Sequence, residues 1–109
     1  MDFLELAKKR YSVRHFKEEP IPQAMIDQSL MAGSAAPTAH NNQPQEILVI
    51  QSPEGLQTLK KCTECHYQAP LAFIICYDKE KCWKRTYDRQ SSGDIDASIV
   101  ATHMMLEAT

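Results

Sequence analysis

The segment from residue 94 to residue 109, DIDASIVATHMMLEAT, constrains the fold more than any other part of this chain. Its apolar side chains fall on nearly every face of a helix: Ile95, Ile99, Val100, Met104, Met105, Leu106 and Ala108. A helix that is apolar all round is either buried or packed on a partner. No Gly, Asn or Pro interrupts the pattern, so we expect a helix up to the last residues. Ser91-x-x-Asp94 predicts a capping box at its start, where Asp94 and Asp96 add favourable negative charge.

Chain length limits how such a helix can be covered. The chain has 109 residues and a mass of 12.4 kDa, which suits one small domain. A domain of this size buries only roughly 60–65% of the surface of its unfolded chain. We therefore expect a single domain over residues 1–109 that is C-terminally incomplete, or a domain completed by a partner subunit.

Composition and charge exclude several classes of protein. The hydrophobic fraction of 43% and the charged fraction of 24% are near the averages for globular proteins, which argues against disorder. The net charge is −2 and no strongly basic patch is visible, so nucleic acid is not an expected partner. No apolar run approaches the ~18–20 residues of a membrane span, and we expect no membrane partner.

The N-terminus and the cysteines indicate the compartment. The opening residues, MDFLELAKKR, place acids before bases, which is not the pattern of a secretory signal. We therefore expect a cytoplasmic protein whose four cysteines are reduced: Cys62, Cys65, Cys76 and Cys82. Cys76 lies within the apolar run LAFIICYD and is expected to be a buried small hydrophobic residue.

Helical spacing and capping residues predict two helices in the first third of the chain. Residues 2–10 begin with Asp2, and Glu5 three positions later completes a capping pattern. Residues 22–34 begin with Pro22, which suits the first turn because its missing N–H is not needed there. The inner face of this second helix is expected to carry Met25, Ile26, Ser29, Leu30 and Gly33.

Two apolar runs, EILVIQS and LAFIICYD, predict β-strands. Both are nearly continuous rather than alternating, so we expect strands buried on both faces. The sequence between them predicts a helix that starts at a Ser52–Pro53 cap. Residues 79–90 are charged and contain the only tryptophan, and they predict an exposed helix or an excursion.

The first candidate site is the segment Arg10-Tyr11-Ser12-Val13-Arg14. Two guanidinium groups around a small hydroxyl could hold a phosphate, because arginine offers a fork of donors and a permanent charge. Basic residues at the end of a helix also complement the helix dipole, and for the pentapeptide alone this structural role is the favoured interpretation.

The second candidate site is the segment 36–44, APTAHNNQP. Asn and Gln side chains offer paired donors and acceptors that suit the edge of a planar heterocycle, and two prolines would stiffen the loop. A plain helix-to-strand turn has the same composition.

A third candidate, Cys62-Thr63-Glu64-Cys65-His66, has the letters of a c-type haem attachment motif. Haem attachment needs an oxidising compartment, zinc needs two more ligands, and a redox pair normally opens a helix rather than following one. Chance occurrence is the favoured interpretation, and we predict no metal site.

Together, the pieces RYSVR-x-F, IP with a helix, and APTAH-N-x-QP before a buried strand resemble the nitroreductase family of flavoproteins. The later APLAFIIC run and the terminal helix also fit, and the chain resembles the N-terminal part of a family member. The resemblance implies an α+β fold with a central, mainly antiparallel sheet flanked by helices. It implies a homodimer that binds two FMN molecules at the subunit interface. It also implies ping-pong hydride transfer from NAD(P)H through flavin to nitroaromatics, quinones or similar small-molecule acceptors.

The resemblance also assigns cofactor-binding residues. The segment Arg10, Tyr11, Ser12 and Arg14 matches the part that holds the FMN phosphate and the ribityl or pyrimidine edge. The residues Pro37, Thr38, Ala39, Asn41 and Gln43 match the loop that reaches FMN, usually from the other subunit. No side chain need act as a catalytic acid or base, because the flavin carries the hydride chemistry.

The sequence departs from the family pattern in two respects. Gln45 stands where many members have an aromatic residue. The later family segments, a basic pair for the phosphate and a backbone donor to the flavin, do not occur in this chain. An alternative hypothesis is therefore a non-catalytic dimeric flavin-binding module or an inactive fragment.

Overall fold

A computed structural model of the chain describes residues 2–109. Four helices and two strands follow one another in the order α1, α2, β1, α3, β2 and α4. Their bounds are Phe3–Lys9 (α1), Gln23–Ser34 (α2), Gln45–Ile50 (β1), Pro53–Cys62 (α3), Ala72–Tyr77 (β2) and Gly93–Ala108 (α4). The predicted α+β class and the sequence of elements are confirmed. Within these residues no helix is both long enough and apolar enough to cross a membrane.

Side-chain caps mark the starts of α1 and α3, and a proline precedes α2. The Asp2 carboxylate accepts from the Glu5 N–H at 2.8 Å, and the Glu5 carboxylate accepts from the Asp2 N–H at 3.3 Å, which confirms the predicted capping box. Ser52 Oγ accepts from the Gly55 N–H at 3.0 Å at the start of α3, also as predicted. Pro22 occupies the N-cap of α2, one position before the first helical turn.

The start of α4 differs from its prediction by one residue. Ser92, and not Ser91, is the N-cap, so the predicted Ser91–Asp94 capping box is wrong. Ser91 Oγ instead accepts from the Gly93 N–H at 2.9 Å. Ser92 Oγ turns inward and donates to the buried Asp96 carboxylate at 2.8 Å. Ser92 Oγ therefore bonds the side chain four residues ahead in place of a backbone N–H of the helix.

The two strands form an antiparallel pair in which Gln45 lies opposite Tyr77 and Ile50 opposite Ala72. The prediction that both faces are buried is wrong: Leu48 and its partner Ile74 are 54% and 37% exposed. The reason is that α4 packs against one face of the sheet, the face that carries Ile47, Phe73 and Ile75. Alternate residues therefore turn away from the core.

Cys76 shares the outward face of β2, so the prediction that it is buried is also wrong. The strand period of two places its side chain beside that of Ile74 rather than among the core residues. Cys82 is the buried cysteine instead, and its Sγ lies 3.2 Å from the Asp78 carbonyl oxygen. All four cysteines are free thiols.

The core lies between α2, α4 and the sheet. Val100 is fully buried and packs with Ala36 and Met104, and the half-buried Leu30 and Ile99 join them. The inner face of α2 is confirmed for Ile26, Ser29 and Gly33, which are buried.

Two helices also leave apolar residues uncovered. Met25 of α2 is 59% exposed, so its predicted place on the inner face is wrong. Ile95 and Met105 of α4 are 65% and 42% exposed. The helix that is apolar all round is therefore covered on one side only in this chain.

The charged segment 79–90 was predicted to be an exposed helix or an excursion, and it is an excursion. Turns dominate it, and a single antiparallel bridge joins Lys84 to Ser91. Arg85 binds Asp88 through two hydrogen bonds of 3.1 and 2.6 Å. The Arg85 guanidinium holds the pKa of the Asp88 carboxyl below its usual value.

Candidate functional site

The segment that follows α1 runs along the last turn of α4. Arg10 ends the helix in an extended conformation, with its N–H bonded to the Leu6 carbonyl at 3.2 Å. A cleft of about 480 Å³ separates residues 9–14 and Phe16 from Met105, Ala108 and Thr109. This volume is typical of sites for small molecules and cofactors. The structure therefore places the predicted residues Arg10, Tyr11, Ser12 and Arg14 together along one cleft.

The cleft is rich in positive charge. Lys9, Arg10 and Arg14 all line it. Among residues 2–109 the ion pair is Arg85–Asp88, so no carboxylate neutralises the two cleft arginines. Ser12 adds a hydroxyl donor between them. Two guanidinium groups and a hydroxyl on one wall form a chemistry suited to a phosphate or another oxyanion.

Tyr67 supports one of these arginines and was not found by sequence reasoning. The Arg14 guanidinium carbon lies 5.2 Å from the centroid of the Tyr67 ring, a cation–π contact. Tyr67 has a positive φ of 46°, which a side chain of this size seldom adopts. It follows directly on the cysteine motif, where spacing suggested only thiol chemistry. No local signal connects it with Arg14.

The second predicted segment forms a tight loop around a 3₁₀ turn, Ala39–Asn41. Three of its residues have positive φ: His40 at 54°, Asn41 at 54° and Gln43 at 51°. Such values are uncommon outside glycine, and they persist where surrounding contacts hold the backbone. The loop, which connects α2 to β1, therefore has a backbone conformation that its own contacts hold.

Gln43 makes several of the hydrogen bonds within the loop. Its Nε2 lies within 3.3 Å of the Ala36 carbonyl, 3.1 Å of Thr38 Oγ1 and 2.8 Å of Asn41 Oδ1. Its backbone N–H also donates to Thr38 Oγ1 at 3.0 Å. Gln45 Nε2 donates to Gln43 Oε1 at 2.7 Å, which fixes the orientation of that amide. The Gln43 and Thr38 side chains are thus engaged within the loop, while Pro37 and Asn41 are exposed.

Contacts between side chains and distant residues help to attach the loop to the rest of the chain. The Ala39 N–H donates to Asp96 Oδ1 at 3.0 Å, and Asn42 Nδ2 donates to the Lys81 carbonyl at 3.0 Å. The His40 ring stacks on Trp83 with a centroid distance of 5.5 Å and an interplanar angle of 12°. Asp96 and Trp83 are the anchors that sequence reasoning missed.

The two predicted segments lie at opposite ends of α4. The loop attaches to Asp96 near the first turn, whereas the cleft contains Met105 and Ala108 near the last. At a rise of 1.5 Å per residue, Asp96 and Met105 are ~14 Å apart along the helix axis. The structure brings together the residues within each segment and leaves the two segments apart in one chain.

The residues of the cysteine motif, 62–66, do not form a metal site in the structure. Cys62 ends α3 and is exposed, as is Cys65. His66 lies in the following turn, where its Nδ1 accepts from the Gln68 N–H at 3.0 Å. Throughout residues 2–109, no three His, Cys, Asp or Glu side chains are grouped so as to hold a metal ion.

Comparison with known proteins identifies a protein family whose model matches more than half of the chain. The family model described as the nitroreductase family matches residues 7–72. An NADH dehydrogenase from Thermus thermophilus is 30% identical over 83 residues, which is 73% of this chain and 40% of that protein. The chain spans 40–42% of the length of three curated relatives that it matches.

Solved structures agree in fold. A nitroreductase family protein from Clostridium difficile 630 is 45% identical with a TM-score of 0.94, and the match covers 99% of this chain and 62% of that one. An FMN-dependent nitroreductase from Clostridium difficile R20291 is 29% identical with a TM-score of 0.78, covering 96% and 59%.

Proposed function

The chain belongs to the nitroreductase family, and from that premise we propose that it is part of an FMN-dependent oxidoreductase. The proposed reaction transfers hydride from NAD(P)H, through the flavin, to a small-molecule acceptor such as a nitroaromatic or a quinone. The observation that carries the proposal is the cleft in which Arg10, Ser12 and Arg14 face the end of α4. Its relative from Clostridium difficile R20291 is named FMN-dependent, which supports the choice of cofactor.

The residues of this chain fit an FMN molecule. Arg10 and Arg14 would bind the phosphate through charge-assisted hydrogen bonds, and Ser12 would donate a third. Tyr67 would hold the Arg14 guanidinium in place before the cofactor arrives, which lowers the entropic cost of binding. The loop 37–43 would present backbone and amide groups to the flavin ring. When bound, FMN supplies the hydride chemistry, and the protein binds and orients it.

The separation of the two segments supports a homodimer. A loop at one end of α4 and a phosphate cleft at the other can serve one cofactor if each comes from a different subunit. The exposed Met105 lies at the cleft, and Met31 of α2 is 70% exposed, so both are candidates for burial against a partner. The free thiols suit a reducing compartment, and the proposal includes a cytoplasmic location.

Titration of the purified protein with FMN tests the proposal. The wild-type chain is expected to bind FMN, and Arg10→Ala or Arg14→Ala is expected to weaken binding by roughly ten- to hundredfold, because each removes a charge-assisted contact. Arg89→Ala is the matched control, since Arg89 is exposed in the 79–90 excursion, outside the cleft. Unchanged affinity in both cleft variants would remove the proposed phosphate site.

A turnover assay distinguishes a catalytic oxidoreductase from a non-catalytic flavin-binding module. Oxidation of NADH or NADPH with a quinone acceptor is expected if the chain is catalytic. FMN binding without turnover would support the non-catalytic flavin-binding module instead.

A further inference from the structure

A buried carboxylate at the start of α4 has no role in the proposed phosphate cleft. Asp96 is 1% exposed, and its two oxygens have different partners. Oδ1 accepts from the Ala39 N–H at 3.0 Å, and Oδ2 accepts from Ser92 Oγ at 2.8 Å. Ser92 is itself buried, at 7% exposure. The carboxylate is therefore enclosed between its own helix and the loop 37–43.

Burial of a carboxylate is costly unless hydrogen bonds compensate for the lost water. No cation pairs with Asp96 among residues 2–109, where the ion pair is Arg85–Asp88. Its compensation comes from two donors and from the N-terminal end of α4, where the helix dipole favours negative charge. One of the two donors belongs to a loop that is 57 residues away in sequence. The carboxylate thus connects the helix to the loop instead of capping the helix.

The backbone that Asp96 holds is the part of the loop that most needs support. Ala39 directly precedes His40 and Asn41, both in the left-handed region at φ 54°. Each such residue costs free energy that the surroundings must offset. His40 is also stacked on Trp83, and Asn42 is bonded to the Lys81 carbonyl. The loop side chains in those two contacts, His40 and Asn42, are exposed, whereas the Asp96 side chain is buried and bonds the loop backbone itself.

We propose that Asp96 is a positioning residue, oriented by Ser92, that fixes the loop 37–43 in the conformation that meets the flavin ring of FMN. The proposal rests on the proposed function for the identity of the ligand. Asp96 itself would not touch the cofactor. It would act through the Ala39 N–H, so that the loop is ordered before the ligand binds and less entropy is lost on binding.

The test compares Asp96→Ala and Asp96→Asn with Asp94→Ala in the full chain. Asp94 lies half a turn away on the same helix, is exposed and bonds Tyr77 Oη at 2.9 Å, so Asp94→Ala is a matched loss of charge without the loop contact. Asparagine keeps an acceptor for the Ala39 N–H, so Asp96→Asn is the conservative rescue. Ser92→Ala leaves the carboxylate in place and removes its orienting hydroxyl, which keeps the test usable if Asp96→Ala does not fold.

The first readout is amide hydrogen exchange without FMN. Asp96→Ala, or Ser92→Ala to a smaller extent, is expected to speed exchange of the peptide covering residues 36–43 by roughly tenfold or more, with β1 and β2 unchanged. Asp94→Ala is expected to leave that peptide protected. Unchanged exchange in the Asp96 and Ser92 variants would overturn the proposal, whether or not the protein binds FMN.

The second readout is FMN affinity. Asp96→Ala is expected to weaken FMN binding roughly ten- to hundredfold, Asp96→Asn to restore most of it, and Asp94→Ala to leave it unchanged. Equal affinity of Asp96→Ala and wild type would overturn the positioning role. Failure of the wild-type chain to bind FMN would count against the proposed function alone, because hydrogen exchange still decides whether Asp96 orders the loop.

Discussion

Single residues decide how closely α4 approaches the sheet. A Cβ added to Gly93 would lie 2.2 Å from Tyr77 Cε2 and 2.5 Å from two other ring atoms. These distances are far below van der Waals contact, so only a residue without a side chain lets the helix start against this ring. The same tyrosine donates to Asp94 at 2.9 Å. The first turn of α4 is thus attached to β2 through one ring.

Replacement of Gly93 by alanine is expected to destabilise the fold. The new methyl group must displace the Tyr77 ring and with it the Tyr77–Asp94 hydrogen bond, so the free energy of unfolding should fall by roughly 1–3 kcal/mol. Urea denaturation measures the loss. Gly33→Ala is the control, because its Cβ would meet the flexible ends of Ile47 and Met104 at 3.0 Å, and a change within about 1 kcal/mol is expected. Equal losses in both variants would contradict the steric explanation.

The Tyr77–Asp94 pair also predicts a pH dependence. The hydrogen bond to the Asp94 carboxylate, with its negative charge close by, raises the pKa of the Tyr77 phenol above its ordinary value of 10.0. The contribution to stability is therefore complete below pH 10.0 and is lost as the pH rises through the raised folded pKa. An NMR titration of the Tyr77 ring should show this pKa, and Asp94→Asn should return it towards 10.0. An identical titration in the two proteins would refute the assignment.

At the scale of elements, α4 carries the core on one face and leaves the opposite face open. Val100 is fully buried in the core between α2, α4 and the sheet. Ile95 on the same helix is 65% exposed to solvent. Burial against two neighbouring elements stabilises this helix far more than its intrinsic propensity does. Its two faces should therefore respond very differently to truncation.

Truncation of the two faces tests this asymmetry. Val100→Ala removes buried methyl groups from the centre of the core and should lower the free energy of unfolding by about 2 kcal/mol. Ile95→Ala should change it by less than about 0.5 kcal/mol in a dilute, monomeric sample. Guanidinium denaturation at low protein concentration provides both values. A larger loss for Ile95→Ala would show that its face is already covered under those conditions.

At the scale of the whole molecule, the arrangement of the two site segments is the main consequence of the fold. The proposed phosphate cleft and the loop lie at opposite ends of α4, so the proposed homodimer would combine the cleft of one subunit with the loop of the other. Several exposed apolar residues could be buried in such a dimer interface. They are Phe3, Leu4, Tyr11, Met25, Met31, Ile95 and Met105.

Subunit mixing tests whether each site is shared. One chain carries Arg10→Ala, and a second carries Thr38→Ala with Asn41→Ala, which removes two acceptors of the Gln43 amide. Each variant alone should bind FMN weakly. A mixed dimer of shared sites has one site with both segments intact, so mixing by co-expression should restore tight FMN binding. If each chain builds its own site, mixing restores nothing.

Local patterns in the sequence predict most of the helices and strands, and they single out the two candidate segments 10–14 and 36–44. The Asp2–Glu5 capping box and the Ser52 cap each join residues three apart in sequence. The segments RYSVR and APTAHNNQP are each contiguous in sequence. Short stretches of sequence are therefore enough to predict these features. The exposure of Leu48, Met25 and Cys76 was not predictable in this way, because it depends on which face of each element another element covers.

Only the tertiary structure decided which residues support the two candidate segments. Asp96 meets Ala39 across 57 residues, Trp83 stacks on His40, and Tyr67 contacts Arg14, although none of these pairs has a spacing that local chain geometry could fix. Caps and periodic faces arise from hydrogen bonds and side chains within one or two turns, so the sequence by itself determined them. Contacts between distant segments exist only after the helices and strands have packed, because packing is what sets the distances between them.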